Sequence, residues 1–195
     1  MRPLTVLPLS GSLRAASLNA AMLAMAADCA PPGLRMRRLY GLGKLPLFDP
    51  NLESNEPPSV ARPRHEIAPA DAVLIASPEC AHGVSGVMKN ALDWMVATGV
   101  FVDKPVALWN ASPRASMALA SLRETLIVMS AHLVHAAALE MPIRSGDGVG
   151  APVNPDPAAM RHVLLALERA LRSRDRSPAS SVSPRPLPSP PRQRP

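Results

Sequence analysis

A hydroxyl-rich loop near the N-terminus holds the first residues whose types and spacing could do chemistry. It follows the apolar run Leu4–Leu9 and precedes a helical pattern, and its polar side chains are Ser10, Ser12, Arg14, Ser17 and Asn19. The first backbone N–H groups of a helix have no partner within the helix, and the helix dipole favours an anion there. Gly11 lets the backbone approach a ligand closely. The loop therefore predicts a phosphate site, with a plain turn capped by Ser17 as the alternative.

A second group of small and polar residues follows the apolar run Asp71–Ser77. It begins with Pro78, Glu79, Cys80 and Ala81 and continues through Gly86 to Trp94. A third, shorter group contains Ser112 and Arg114 and follows the apolar segment Lys104–Asn110. Because all three groups come directly after predicted strands of one sheet, we expect them to meet at one edge and form a ligand site.

The first loop resembles a phosphate loop of a known family. It matches neither G-x-x-x-x-G-K-[ST] nor G-x-G-x-x-G, so neither a P-loop nor a dinucleotide fingerprint is supported. It resembles G-S-x-R-x-x-S-x-N, the phosphate loop of the NAD(P)H-dependent FMN reductase family of flavodoxin-like proteins, at Gly11, Ser12, Arg14, Ser17 and Asn19.

The second segment resembles another motif of the same family, P-E-Y-(N/A)-x-x-x-x-G-x-(L/M)-K-N-A-(L/I)-D-W. The matching positions are Pro78, Glu79, Gly86, Met88, Lys89, Asn90, Ala91, Leu92, Asp93 and Trp94. The resemblance extends from about Leu4 to Leu171. It implies an oxidoreductase that moves a hydride from NADPH or NADH to bound FMN and then electrons to a small acceptor. That acceptor could be a flavin, a quinone, an azo compound or a metal oxyanion.

The resemblance also implies which residues contact the cofactor. These are Ser10, Ser12, Arg14, Ser17, Leu18 and Asn19 around the phosphate, Pro78, Glu79, Cys80 and Ala81 along the ring, and Ser112 and Arg114 beside it. We predict no general acid or base, because the flavin carries the reaction. Glu79 is expected to be a solvent-facing carboxylate, and His82 could approach the ring. Members of the family are commonly dimers or dimer pairs, so Lys89, Asp93 and Trp94 could serve assembly, with a surface ion pair and a core tryptophan as the alternative.

The elements that must position these loops alternate along the chain. The predicted strands are Thr5–Leu9, Leu34–Tyr40, Asp71–Ser77, Lys104–Asn110 and Leu133–Leu139, and predicted helices follow each of them. Such alternation predicts an α/β fold with a parallel five-stranded sheet and helices on both faces. In the flavodoxin-like doubly wound order 2-1-3-4-5, the crevice opens at the carboxyl ends of strands one and three.

Two departures from the family pattern leave other functions open. Cys80 stands where the family has tyrosine, and Pro8 lies inside the first strand, where a missing N–H is unfavourable. Either change could weaken the flavin site. The alternatives are therefore a flavodoxin-fold binding or scaffold protein without turnover and a flavin-bound electron carrier without reductase activity.

Composition limits the function classes. The two cysteines, Cys29 and Cys80, do not form a disulfide framework, and the N-terminus lacks a signal-peptide pattern, so we expect a cytoplasmic protein. No apolar run reaches the ~20 residues that span a bilayer. The five histidines show no ligand spacing, so no metal site is predicted.

The composition of the C-terminal segment predicts that the chain consists of a folded domain and a tail. Residues 173–195 contain five arginines and one aspartate, whereas residues 1–172 hold 16 basic and 14 acidic side chains. The segment is rich in proline and serine and has no aromatic residue, which argues against nucleic-acid binding. We therefore predict a flavin domain over residues 1–172 and a disordered tail, inert or able to bind an SH3-like or acidic partner, over residues 173–195.

Overall fold

The computed structural model describes residues 1–112, 115–141 and 156–176. Its strands are β1 (Leu4–Ser10), β2 (Leu34–Met36), β3 (Ala72–Ala76), β4 (Glu79–Cys80), β5 (Gly83–Val84), β6 (Pro105–Asn110), β7 (His132–Leu133) and β8 (Leu139–Glu140). Its α-helices are α1 (Leu18–Cys29), α2 (Pro58–Ile67), α3 (Gly86–Val96), α4 (Ser116–Val128) and α5 (Pro157–Arg176). Short 3-10 helices span Leu42–Lys44, Pro50–Asn55 and His135–Ala137.

The main sheet is parallel throughout. Its strands follow the order β2-β1-β3-β6, and both β7 and β8 pair with β6. The predicted fifth strand, Leu133–Leu139, is thus two short strands separated by a 3-10 helix. With β7 and β8 taken as one position, the sheet has the predicted flavodoxin-like order 2-1-3-4-5, so the predicted fold class is confirmed.

Two apolar clusters fill the two faces of the sheet. Leu7 and Ile75 point to one face, where they pack with buried residues of α2, α3 and α4. Val6 and Leu74 point to the other face, where they pack with α1 and α5. Alternate residues of a strand lie on opposite faces, so β1 and β3 contribute to both clusters. The prediction of helices on both faces is confirmed.

Pro8 does not disturb β1, because of the direction in which its nitrogen points. The N–H of Arg37 donates to the carbonyl of Val6, whereas the N–H of Asp71 donates to the carbonyl of Thr5. Even-numbered residues of β1 therefore present their backbone polar groups to β2, and odd-numbered residues present theirs to β3. Pairing with β2 ends at Val6 and Met36. Every acceptor on β2 therefore has its donor although Pro8 has no N–H. Strand β1 also pairs with β3 without interruption through Ser10.

Several predicted bounds differ from the observed ones. The second strand ends at Met36 rather than Tyr40, because the chain then turns into the 3-10 helix Leu42–Lys44. Helix α2 begins at Pro58 and continues through the buried Pro63, so its prolines do not interrupt it. Helix α5 continues to Arg176, past residue 172, where the predicted flavin domain ends.

Candidate functional site

One candidate site is a cavity of about 490 Å³ at the carboxyl ends of β1, β3 and β6. Small-molecule pockets commonly measure about 300–1,000 Å³. Nine of the twelve predicted site residues line it, namely Ser12, Arg14, Ser17, Leu18, Asn19, Pro78, Glu79, Ala81 and Ser112. Ala16, His82 and Ala111 also line it and were not in the predicted set. The three loops therefore meet, as the order of the strands requires.

Two predicted site residues, Ser10 and Cys80, do not line this cavity. The hydroxyl of Ser10 accepts a hydrogen bond from the Ser12 N–H at 3.2 Å, and Ser10 lines a neighbouring cavity instead. The side chain of Cys80 is exposed on β4 and does not line the cavity. Arg114 lies outside the residues that the structure describes. Ser10 thus shapes the first loop, and only its neighbours face the cavity.

The first loop presents the N-terminus of α1 to the cavity. Ser17 is the N-cap, and its hydroxyl accepts from the N–H of Ala20 at 3.2 Å, so the predicted cap is confirmed. The hydroxyl of Ser12 accepts from the N–H of Arg14. The Arg14 side chain is exposed, and its guanidinium has no partner among the described residues. A helix N-terminus and an unpaired cation therefore face the same space, which favours an anion.

Gly11 lies where the first and second loops cross. A Cβ at this position would lie 2.8 Å from Ser85 Oγ and closer still to Ser77 Oγ. The Ser85 hydroxyl donates to the Gly11 carbonyl at 2.6 Å, and the same oxygen accepts from the N–H of Met88 to cap α3. Both serines are buried. The sequence prediction missed Ser77 and Ser85, because their partner is far from them along the chain.

The second loop forms a two-residue hairpin beside the cavity. Strands β4 and β5 pair antiparallel, and the connecting residues Ala81 and His82 have φ values of 48° and 61°. Positive φ at both central residues is the requirement of a type I′ turn, which normally uses asparagine and glycine. Non-glycine residues held there cost about 1–3 kcal/mol each. Surrounding contacts must therefore hold this hairpin in place.

Glu79 supplies such contacts, and its expected solvent-facing position is wrong. Its Oε2 accepts from the N–H of Ala118 at 2.9 Å, and its Oε1 lies 3.0 Å from His82 Nδ1. Helix α4 has no side-chain cap of its own at Ala115. The hydrogen bond from Ala118 is the main reason that the pKa of Glu79 is lowered, with His82 adding to it. Glu79 thus caps α4 from the hairpin.

Two asparagines hold the third loop, which follows β6, at the side of the cavity. The buried face of α1 consists of Asn19, Met22, Leu23 and Ala26. The side chain of Asn19 is therefore turned inward, and its Oδ1 accepts from the N–H of Ala111 at 3.4 Å. The Oδ1 of Asn110 accepts from the N–H of Ser112 at 3.0 Å. Asn19 thus joins the first loop to the end of β6.

The second motif also supports the chain beneath the site. Asn90 accepts from the N–H of Phe48 and donates to the Pro46 carbonyl, and the Trp94 indole donates to that same carbonyl. Phe48 packs edge-on against Trp94 with the ring centroids 5.1 Å apart. Trp94 is buried, and Lys89 pairs with Asp93 on the surface of α3. The part of the motif from Lys89 to Trp94 therefore makes contacts within the chain, away from the lining of the cavity.

Comparison with known proteins identifies the family. Residues 4–144 match the family described as NADPH-dependent FMN reductase. The chain belongs to this family. It is 39% identical over 133 residues to an NAD(P)H-dependent FMN reductase of Pseudomonas aeruginosa, a match that covers 65% of this chain and 71% of that protein.

Other relatives are named for quinones. An NADPH:quinone oxidoreductase of Arabidopsis thaliana is 41% identical over 109 residues, and a quinone reductase of Escherichia coli is 33% identical over 106. Each match covers 53% of this chain and about half of the relative's length, 55%. The structure of FerB, a flavoenzyme NAD(P)H:(acceptor) oxidoreductase from Paracoccus denitrificans, superposes with a TM-score of 0.66 and 26% identity, covering 87% of this chain and 95% of FerB.

Family membership confirms the prediction of an oxidoreductase that uses FMN and NAD(P)H. It does not support the alternative of a scaffold protein without turnover. Within the described ranges, no helix is long and apolar enough to cross a membrane. The same ranges contain no cluster of three or more histidine, cysteine or acidic residues that could hold a metal ion.

Proposed function

We propose that each chain binds one FMN non-covalently in the 490 Å³ cavity and reduces a small acceptor at the expense of NAD(P)H. The meeting of the three polar loops in this one cavity carries the proposal. The phosphate would lie at the N-terminus of α1, beside Ser12, Arg14 and Ser17. The ring would extend along residues 78–82 towards Ser112, and Arg114 would close the site.

The side chains at the cavity fit an anionic, planar cofactor. The positive end of α1 and the Arg14 guanidinium complement a phosphate. Glu79 would repel an anion, but its two carboxylate oxygens are engaged by Ala118 and His82. The alanines at 16, 81 and 111 leave room for a ring. No carboxylate that faces the cavity is left without a partner within the described residues.

When bound, FMN accepts a hydride from the nicotinamide and passes two electrons to the acceptor. The chain has to hold the two partners against each other and to orient them. Asn19 and Ser85 fix the walls, and the hairpin at Ala81 and His82 limits access from one side. Because relatives are named for quinones, we propose a quinone as the acceptor, ahead of a free flavin, an azo compound or a metal oxyanion.

We further propose that the protein is a homodimer or homotetramer in the cytoplasm. Large apolar side chains are exposed at Leu47 and Val128, and burial of such side chains is a common reason for self-association. The absence of a disulfide framework among the two cysteines supports the cytoplasmic location. Size-exclusion chromatography with light scattering would test the assembly.

Equilibrium dialysis against FMN, followed by an assay of NADPH oxidation with a quinone, tests the function. We expect a stoichiometry of one FMN per chain and quinone-dependent turnover. Absence of FMN binding at tens of micromolar would overturn the proposal. Binding without turnover would instead favour an electron carrier.

A further inference from the structure

A second cavity of about 460 Å³ lies on the other side of the first loop. It is an open cavity lined by Ser10, Ser12 and Leu13 of the first loop, by the segment 38–44 that follows β2 and by Ala20 of α1. Ser12 lines both this cavity and the 490 Å³ cavity. The two cavities are therefore neighbours, separated by the first loop alone.

The side chains around the second cavity have one sign of charge. Arg38 and Lys44 line it, and no carboxylate does. Neither cation forms an ion pair with an acidic side chain in the described part of the chain. The hydroxyls of Ser10 and Ser12 add polar groups that could contact an anion. The cavity therefore favours a negatively charged group.

An aromatic ring stands beside these cations. Tyr40 is 62% exposed, and the guanidinium carbon of Arg38 lies 5.6 Å from the centre of its ring. An exposed tyrosine ring is a stacking surface for a planar base, and the arginine next to it can contact both the base and a phosphate. Cations, hydroxyls and an exposed aromatic ring together suit a phosphorylated nucleoside.

The segment that carries these groups is fixed in position, because its apolar side chains are buried. Leu39, Leu42 and Leu45 are buried, and Lys44 ends the 3-10 helix between the last two of them. Gly41 has a φ of 94°, which lets the chain turn from Tyr40 into this helix. Leu13 packs so closely on Gly43 that a Cβ there would lie 2.9 Å from its Cδ1. Lys44 is therefore held next to the first loop.

We propose that this second cavity binds the 2′-phosphoadenosine half of NADPH. Tyr40 stacks on the adenine, and Lys44 and Arg38 bind the 2′-phosphate. The proposal rests on the proposed function, because it assigns the two ends of one dinucleotide to the two cavities that share Ser12. NADH has the same adenine but lacks the 2′-phosphate. Lys44 and Arg38 therefore select NADPH over NADH, whereas Tyr40 serves both dinucleotides.

The test uses the FMN-loaded full-length protein and three variants, Lys44→Ala, Arg38→Ala and Tyr40→Ala, with Arg35→Ala as the control. Arg35 is an exposed arginine on β2 that does not line the cavity. Isothermal titration with 2′,5′-ADP measures binding of the adenosine end without turnover. Steady-state kinetics with NADPH and with NADH measure selectivity, and titration with FMN checks the first cavity.

We expect Lys44→Ala and Arg38→Ala each to weaken 2′,5′-ADP binding about tenfold and to lower kcat/KM for NADPH by a similar factor, as expected for loss of a charge-assisted contact. Their kcat/KM for NADH and their FMN affinity should match those of Arg35→Ala. Tyr40→Ala should lower kcat/KM for both dinucleotides to a similar extent. This difference between the cation variants and the tyrosine variant is specific to the proposed arrangement.

Three results would overturn the proposal. The first is no 2′,5′-ADP binding by the wild-type protein, and the second is an equal loss for NADPH and NADH in Lys44→Ala. The third is weaker FMN binding in Lys44→Ala, which would make this cavity part of the flavin site. Failure of the proposed function itself gives a different result, because FMN binding would then be absent in the wild-type protein.

Discussion

The carboxylate of Glu79 accepts a hydrogen bond from the backbone N–H of Ala118 at 2.9 Å, joining the hairpin beside the cavity to the first turn of α4. Helix N-termini need acceptors for their first N–H groups, and this acceptor comes from another part of the chain. The same carboxylate also contacts His82, whose backbone is held at positive φ. One side chain thus links a strained turn to a helix.

Removal of this carboxylate should loosen both elements. We expect Glu79→Ala to lower the melting temperature and to weaken FMN binding, because the first turn of α4 loses its acceptor and the hairpin loses its anchor. Glu124→Gln on the exposed face of α4 is the matched control and should change neither. Thermal melts and FMN titrations measure both effects. Unchanged FMN affinity in Glu79→Ala would show that the hairpin does not contact the cofactor.

The same contact predicts a pH dependence. Because the pKa of Glu79 is lowered in the folded protein, its stabilising contribution is complete above the ordinary glutamate pKa of about 4.3. It is lost as the pH falls below that value, through the lower pKa of the folded state. The difference in melting temperature between the wild type and Glu79→Gln should therefore be constant above about pH 5 and shrink below pH 4. A difference that grew in acid would contradict the lowered pKa.

Gly11 should tolerate no side chain. Gly11→Ala would place a methyl group against the short, buried side chains of Ser77 and Ser85, and overpacking of this kind costs about 1–3 kcal/mol. For a chain of this size, each kcal/mol lowers the melting temperature by about 2–4 °C. Gly86→Ala is the control, because a Cβ there meets no atom within 4 Å. It should be as stable as the wild type or more stable, since alanine favours a helix.

Arg14 should contribute to FMN affinity and not to stability. Its side chain is exposed and faces the cavity, and a charge-assisted hydrogen bond contributes ~1.5–3 kcal/mol. Arg14→Ala should therefore weaken FMN binding by about 10- to 100-fold, with an unchanged melting temperature of the apoprotein. Arg35→Ala again serves as the control. Equal affinities for both variants would place the phosphate elsewhere.

Cys80 should be dispensable, although the family has tyrosine at this position. The thiol is exposed and does not line the cavity. Cys80→Ser should leave FMN affinity within about twofold of the wild type, because exposed substitutions usually change free energies by less than 0.5 kcal/mol. Treatment of the wild type with a thiol-blocking reagent should likewise preserve turnover. Loss of activity in both experiments would assign a role to the thiol.

We propose that the segment after α5 contributes nothing to the stability of the flavin domain. The predicted boundary at residue 172 falls within α5, which continues to Arg176, and Arg174 donates to the carbonyl of Asp103. A chain that ends after Arg176 should therefore melt at the same temperature as the full chain and bind FMN equally well, because the removed sequence has only one valine and one leucine and cannot join a core. A chain that ends after Ser173 is the comparison and should be slightly less stable.

The sequence was sufficient for contacts that follow from local patterns. The alternation of apolar strands and helices predicted a parallel sheet, the family resemblance supplied its strand order, and Ser17 was recognised as the cap of α1 from its position alone. Contacts between distant residues were missed. The partner of Glu79 lies 39 residues along the chain and that of Ser85 lies 74, so no local pattern could reveal either. The effect of Pro8 depends on which neighbouring strand its nitrogen faces, and only the register decides that.

Pro8 also helps to separate the first loop from the segment 38–44. Two parallel strands stay paired only where each supplies the next N–H donor. Pro8 has no N–H, so the pairing of β1 with β2 does not extend past Met36. The chain from Arg37 onward is therefore free to leave the sheet before the first loop begins its turn. The segment 38–44 and the first loop stand apart as a result, and the gap between them is the 460 Å³ cavity. A residue unfavourable in most central strands thus makes room for this second cavity.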